Sequence, residues 1–128
     1  MSGHPVLQSP FDYRVWKSLE GRTFSKGGPA ALAAEVANYE DTVNSQVLVM
    51  LIDALAEEGI TDREIMKGIV ARSRATDCMP SVRASEVLLE AGDPDGAAEV
   101  LAMSADSGEM VMRSLAEATI CMARGDRQ

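Results

Sequence analysis

The sequence predicts an all-α fold of antiparallel helical hairpins, stacked as a small bundle or a short solenoid. Three observations lead there. Ala and Leu abound while aromatics make up only 4% of the 128 residues, and helices favour the former whereas strands favour aromatic and β-branched side chains. Apolar residues recur at steps of three and four rather than two, the helical period. Gly59, Gly92 and Gly125 punctuate the chain at intervals of 33 residues. No segment reads as a strand.

Residues 1–28 form an arm distinct from the rest. They hold Phe11, Tyr13, Trp16 and Phe24, four of the five aromatics. Arg14, Lys17, Arg22 and Lys26 outweigh Asp12 and Glu20 there, whereas residues 29–128 are strongly acidic. Ser9-Pro10-Phe11-Asp12 reads as a helix start, with a cap, a proline suited to the first position and an acid against the positive end of the dipole. Phe11, Val15 and Leu19 then share one face, and Gly21 is the stop. Arg22 to Gly28 is loop.

Pro29 opens the acidic helical domain, residues 29–128. Leu32, Val36, Tyr39, Val43, Val47, Met50 and Ala54 make a stripe at steps of 4-3-4-4-3-4. The stripe fits one helix of roughly 28 residues, about 42 Å long, or two helices with Asp41 capping the second. Val43 to Glu58 is apolar on more than one face and is expected to be the central buried helix. Gly59 suits the left-handed position after that helix. Thr61 or Asp62 then caps a helix running to about Arg74, with Glu64 completing a Thr-x-x-Glu box and Ile65, Ile69 and Val70 facing inward. Pro80 begins the next helix, which runs through Leu88-Leu89. After Gly92-Asp93-Pro94-Asp95 a shorter helix spans roughly 95–104, and a last one roughly 107–124.

Sliding the chain by 33 residues superposes Val49, Val82 and Leu115, then Ala54, Val87 and Ile120, then Leu55, Leu88 and Cys121. Past the turn it pairs Asp62 with Asp95, Ile65 with Ala98 and Ile69 with Ala102. Two helices per 33-residue unit is the pattern of stacked hairpins, each burying its apolar face on its neighbour. Residues 43–128, and Ala84 to Ala102 most clearly, resemble tetratricopeptide-type (TPR) repeats. Gly92-Asp93 and Ala97 resemble that family's turn glycine and the small residue where paired helices approach. The chain departs from the pattern where a large aromatic is expected early in the first helix (Ser81 or Ser114) and at the tyrosine-like position (Leu88 or Cys121). The resemblance implies a helical array that binds a peptide or helix of a partner protein, as adaptors and small chaperones do.

Composition excludes several chemistries. A net charge of −8 disfavours non-specific nucleic-acid or anionic-membrane binding, which needs Lys and Arg. The longest apolar run, Val47 to Ile52, is far short of the ~20 residues of a membrane span, and the N-terminus lacks the apolar stretch of a signal peptide. A cytoplasmic, non-enzymatic protein without cofactor or metal is expected. Cys78 and Cys121 are too few and too far apart for a zinc site or a disulfide framework. The single histidine, His4, is a poor foundation for a nucleophile–base pair.

Four further features carry weight. Gly21 to Gly28 has the flavour of a phosphate loop, but its Lys precedes the glycines and no strand precedes the loop. Asp93-Pro94-Asp95-Gly96 fails as a calcium loop because position twelve is Ser104. Asp53, Glu57, Glu58, Asp62 and Glu64 gather at one junction and read as a solvated acidic rim suited to a basic partner. Met103, Met110, Met112 and Met122 crowd the C-terminal third, as adaptable core or as groove lining.

The candidate partner-binding residues are therefore Phe11, Tyr13 and Trp16 on the arm, which are interface-anchoring types, and Met103, Met110 and Met112. Exchange of the arm between protomers is a further mode of association. The alternative function is DNA binding of a small phage packaging or regulatory type. There Gly59 to Asp62 would be a helix-turn-helix corner, and Arg63, Lys67, Arg72 and Arg74 would line the recognition helix.

Overall fold

In a computed structural model, residues 10–21, 27–73, 78–103 and 118–122 are described, and among these every regular element is helical. Six helices follow in order: α1 Pro10–Gly21, α2 Gly28–Ala37, α3 Ser45–Glu57, α4 Arg63–Val70, α5 Met79–Glu90 and α6 Pro94–Ala102. Residues 118–122 are also helical. They lie inside the last predicted helix, whose remaining positions fall outside the described residues, as do Ser9 and residues 22–26.

The long apolar stripe does not make one helix. α2 ends at Ala37 and α3 starts at Ser45, although the 3–4 spacing runs through the gap. The break is stabilised locally. Asn44, not Asp41, caps α3: its Oδ1 accepts from the N–H of Gln46 at 2.9 Å and of Val47 at 3.2 Å. Asp41 instead accepts from the neighbouring Thr42 N–H at 2.7 Å, a short-range bond that competes with helix. The Val43 N–H donates to the Arg72 carbonyl at 2.9 Å, so this linker is pinned to the end of α4 while the Val43 side chain is buried.

α3 is the buried centre, as its two-sided apolarity predicts. Leu48, Leu51, Ile52 and Leu55 are fully buried, each contributing about 1.5–3 kcal/mol. Asp62 rather than Thr61 caps α4, accepting from the N–H of Glu64 at 2.8 Å and of Ile65 at 3.4 Å. The predicted Thr-x-x-Glu box is therefore one residue out of register, and α4 ends at Val70, short of Arg74. Its buried residues are Met66, Ile69 and Val70, with Ile65 only half-buried.

The repeat holds up to the turn and shifts after it. The Ile60 N–H donates to the Leu55 carbonyl and the Asp93 N–H to the Leu88 carbonyl, both at 2.8 Å; the Gly59 and Gly92 N–H groups donate to Ala56 and Leu89, both at 3.0 Å. These are two copies of one Schellman turn, with φ +76° at Gly59 and +86° at Gly92. Before it, buried Leu48, Leu51, Ile52, Ala54 and Leu55 match buried Ser81, Ala84, Ser85, Val87 and Leu88 at a spacing of 33. Beyond it the caps are Asp62 and Asp93, 31 apart, and Met66, Ile69 and Val70 match Ala97, Val100 and Leu101 at that same spacing. The expected pairing of Asp62 with Asp95 is thus corrected by two residues, because the first unit spends two more residues between turn and cap.

Packing follows chain order. α5 lies most extensively against α6 and next against α3, and α2 against α4. Smaller contacts join α1 to α3, α4 to α5 and α6, and α3 to α2 and α4. One apolar cluster runs through all of them, from Val15, Trp16 and Leu19 of α1 to Ile120.

Candidate functional site

α1 folds back on the body. Its stripe of Asp12, Val15, Trp16 and Leu19 is buried, so Trp16 is core rather than an open contact. Phe11 is partly buried and stacks on Tyr39 with ring centroids 4.0 Å apart and planes 8° from parallel. Among the arm's described aromatics Tyr13 is the exposed one, at 50%, and it leans on Trp16 at 6.0 Å. Arg14 lies over the Phe11 ring and pairs with Glu35 at 2.7 Å, and Lys17 lies over Tyr13. Asp12 does more than complement its own helix. Its Oδ1 accepts from the Asn44 N–H at 3.4 Å, across the chain at the start of α3, where a carboxylate is favoured by the helix dipole.

The methionines divide. Met103 follows α6 and is 43% exposed, and Met122 is 80% exposed. Met110 and Met112 lie outside the described residues. Ile120, two residues before Met122, is buried, so the helical turn at 118–122 sends one apolar side chain inward and the other out. Met122 belonged to the visible methionine cluster, but its exposure depends on which face Ile120 takes, which composition does not tell.

The cations of the alternative reading are largely engaged inside the chain. Arg63 bonds the Asp93 carboxylate through Nε at 3.1 Å and Nη2 at 2.6 Å, and Glu99 through Nη1 at 2.9 Å. Lys67 pairs with Glu99 at 3.2 Å. Arg72 donates through Nη1 to the Tyr39 carbonyl and holds the α2–α3 linker; its buried Nε has no hydrogen-bond partner. Arg74 lies outside the described residues. The hydrogen bond to Asp93 raises the pKa of Arg63. The same bond, then the one from the Gly96 N–H, lowers that of Asp93.

The acidic cluster divides between engaged and exposed side chains. Asp53 pairs with Arg83 at 2.6 Å, which raises the Arg83 pKa through that hydrogen bond. Asp62 is spent as a cap, and Glu57, Glu58 and Glu64 are exposed. Asp93 likewise caps α6, accepting from Gly96 N–H at 3.0 Å, so the loop that failed as a calcium site is a capped turn. No group of three or more His, Cys, Asp or Glu side chains among the described residues is placed to hold a metal, and no described helix is long and apolar enough to cross a membrane. Cys78 is buried and Cys121 exposed; His4 lies outside the described residues.

Comparison with protein-family models, curated proteins and solved structures finds no significant match to this chain.

Proposed function

We propose that this chain is a non-enzymatic protein-interaction module, an adaptor or small chaperone built from stacked antiparallel helical hairpins. The observation that carries the reading is the order of packing. Among the six described helices every substantial contact joins helices one or two apart in the chain, which is what a two-layer stack produces, with α1, α3 and α5 in one layer and α2, α4 and α6 in the other. TPR-type arrays are layered in this way, and such stacks present extended surfaces rather than a single deep cleft.

The contact residues of this reading are the exposed apolar side chains Tyr13, Met103 and Met122, on a body whose acidic excess suits a basic partner. Trp16 packs against Tyr13, while Phe11 is engaged with Tyr39. The DNA-binding alternative draws less support, because Arg63 and Lys67 are neutralised by Asp93 and Glu99 and phosphate contact would require those pairs to open.

The test is affinity capture from nuclease-treated native lysate, with the full chain and its Tyr13→Ser/Met103→Ser variant side by side. A stoichiometric protein partner that is lost with the variant is expected. Capture of nucleic acid alone, and only when nuclease is omitted, would overturn the proposal.

A further inference from the structure

We infer that the two ends of the helical stack are complementary, so that copies of this chain associate head to tail, with Tyr13 of one copy against Met122 of the next. This deepens the interaction-module reading and rests on its layered stack.

α1, α3 and α5 form one row. Among the described helices α1 packs substantially only on α3, and α3 packs in turn on α5. Residues 118–122 continue the row in register. Ile120 stands one repeat after Val87 and two after Ala54, and all three are buried. Among the described residues the row therefore runs from α1, its head, to residues 118–122, its tail.

The tail is apolar and uncovered. Leu55 and Leu88 are fully buried, whereas Cys121, their counterpart in the repeat, is exposed. Ala56 and Leu89 are partly buried against the core, whereas their counterpart Met122 is exposed. This uncovered side is the one that looks along the row. Asp53 of α3 reaches forward to Arg83 of α5, and Ala56 lies one turn beyond Asp53 on the same side. Met122 holds the position of Ala56 two repeats on, and Ala118 to Met122 carry no charge. Stacks of this kind stay separate in solution when their terminal faces are polar, and this face is not.

The head supplies the complement. Tyr13 and Lys17 stand one turn apart on the exposed side of α1, with the Lys17 ammonium over the Tyr13 ring. Tyrosine is an interface-anchoring type, and a methionine sulfur packs favourably against an aromatic ring. Charge then selects the pairing. Residues 1–28 carry a positive surplus and residues 29–128 are strongly acidic. Head on tail brings the basic arm to the acidic body of the next copy, whereas tail on tail sets acid against acid and head on head sets base against base. Such a contact is heterologous and leaves a free head and a free tail on every dimer, so association does not stop at two copies.

The test is sedimentation velocity of the purified full chain over a rising concentration series, in reductant so that the exposed Cys121 cannot link copies. Tyr13→Ser removes the head anchor and Met122→Ser the tail anchor. Both side chains are exposed, so each variant should keep the wild-type circular dichroism. The wild type is expected to grow past the dimer, and each variant to associate at least about tenfold more weakly. An equimolar mixture of the two variants is the decisive sample. The intact tail of Tyr13→Ser meets the intact head of Met122→Ser, so the mixture should form one-to-one dimers with wild-type affinity and nothing larger. A wild type that stays monomeric throughout would overturn the inference. So would a dimer that Met122→Ser dissociates and Tyr13→Ser leaves intact, which means tail-to-tail pairing, or a mixture no better associated than its components. The experiment needs no cellular partner. A lysate partner captured by a chain that is monomeric when pure would sink this inference and leave the interaction-module reading standing.

Discussion

Arg63 grips both oxygens of the Asp93 carboxylate while that carboxylate caps α6. Nε reaches Oδ2 at 3.1 Å, Nη2 reaches Oδ1 at 2.6 Å, and the Gly96 N–H reaches the same Oδ1 at 3.0 Å. One residue thus ends the Schellman turn of α5 through its backbone N–H, and through its side chain begins α6 and ties α6 to the start of α4.

The arrangement requires the hydrogen at Gly96. A Cβ there would lie 2.2 Å from Asp93 Oδ2 and 2.8 Å from Arg63 Nε. A Gly→Ala change inside a helix ordinarily gains up to about 1 kcal/mol. Here it must displace the capping carboxylate, whose loss costs about 0.5–2 kcal/mol. Gly96→Ala is therefore expected to destabilise the wild type. In an Asp93→Ala background, where the carboxylate is gone and the flexible Arg63 side chain is released from it to swing aside, the same change should stabilise. Urea unfolding of the four proteins in this cycle reads the sign directly, and a stabilising Gly96→Ala in the wild type would refute the geometry.

Acid should undo the same junction. The folded pKa of Asp93 lies below its ordinary value of 3.8, first through the Arg63 hydrogen bond and then through the Gly96 N–H. The unfolded chain therefore binds more protons in that range, and stability rises with pH there. The contribution is complete above the unfolded value and is lost as pH falls below about 4 towards the lower folded value. Thermal melts of Asp93→Asn against wild type should differ at pH 6 and converge as the pH drops from 4 to 2. A gap that stays constant over that interval would contradict the shift.

The sequence announced its helices through spacing and punctuation, and those parts are local. Gly59 and Gly92 were legible as helix ends because an αL position restricts the residue choice. The α2–α3 break was not decided by pattern, because the apolar stripe continues across it. The decision lies in the Asn44 cap and in the bond from Val43 to Arg72, which comes from 29 residues away. The cap at Asp62 and the resulting 31-residue spacing were obscured for a related reason, since Thr61 and Asp62 are both competent caps and differ by one step. At the candidate site the residue types were visible and their exposure was not. Phe11, Tyr13 and Trp16 are equivalent as interface residues on paper. Helical phase sends Trp16 inward and Tyr13 outward, and the stacking of Phe11 depends on Tyr39, a distant part of the chain.

The two Schellman glycines give a clean measure of backbone strain. A Cβ at Gly59 or Gly92 would meet nothing within 4 Å, so packing contributes nothing to a substitution there. Gly92→Ala should cost roughly 1 kcal/mol from the left-handed conformation alone, and Gly92→Asn less, because Asn tolerates that region. Gly59 should behave alike, its turn having the same hydrogen bonds. Denaturant midpoints for the four variants test this; an Asn no better tolerated than Ala at both sites would mean that something other than backbone conformation decides.

Gly68 poses the opposite case, in which space rather than φ is limiting. It sits inside α4, where Ala would normally be preferred by about 1 kcal/mol. Its Cβ, however, would stand 2.9 Å from the Ala37 Cβ at the end of α2, closer than two such carbons can remain. Neither partner has a flexible tip to move, so α2 and α4 must separate, and overpacking of this kind costs about 1–3 kcal/mol. Gly68→Ala is expected to destabilise despite its better propensity. The compensating change is Ala37→Gly, which reopens the contact at a helix end where glycine is cheap. The double variant Ala37→Gly/Gly68→Ala should recover most of the loss, giving a favourable coupling in a double-mutant cycle. If the two effects simply add, α2 and α4 do not meet at this pair, and the α2–α4 packing described above is wrong at its closest point.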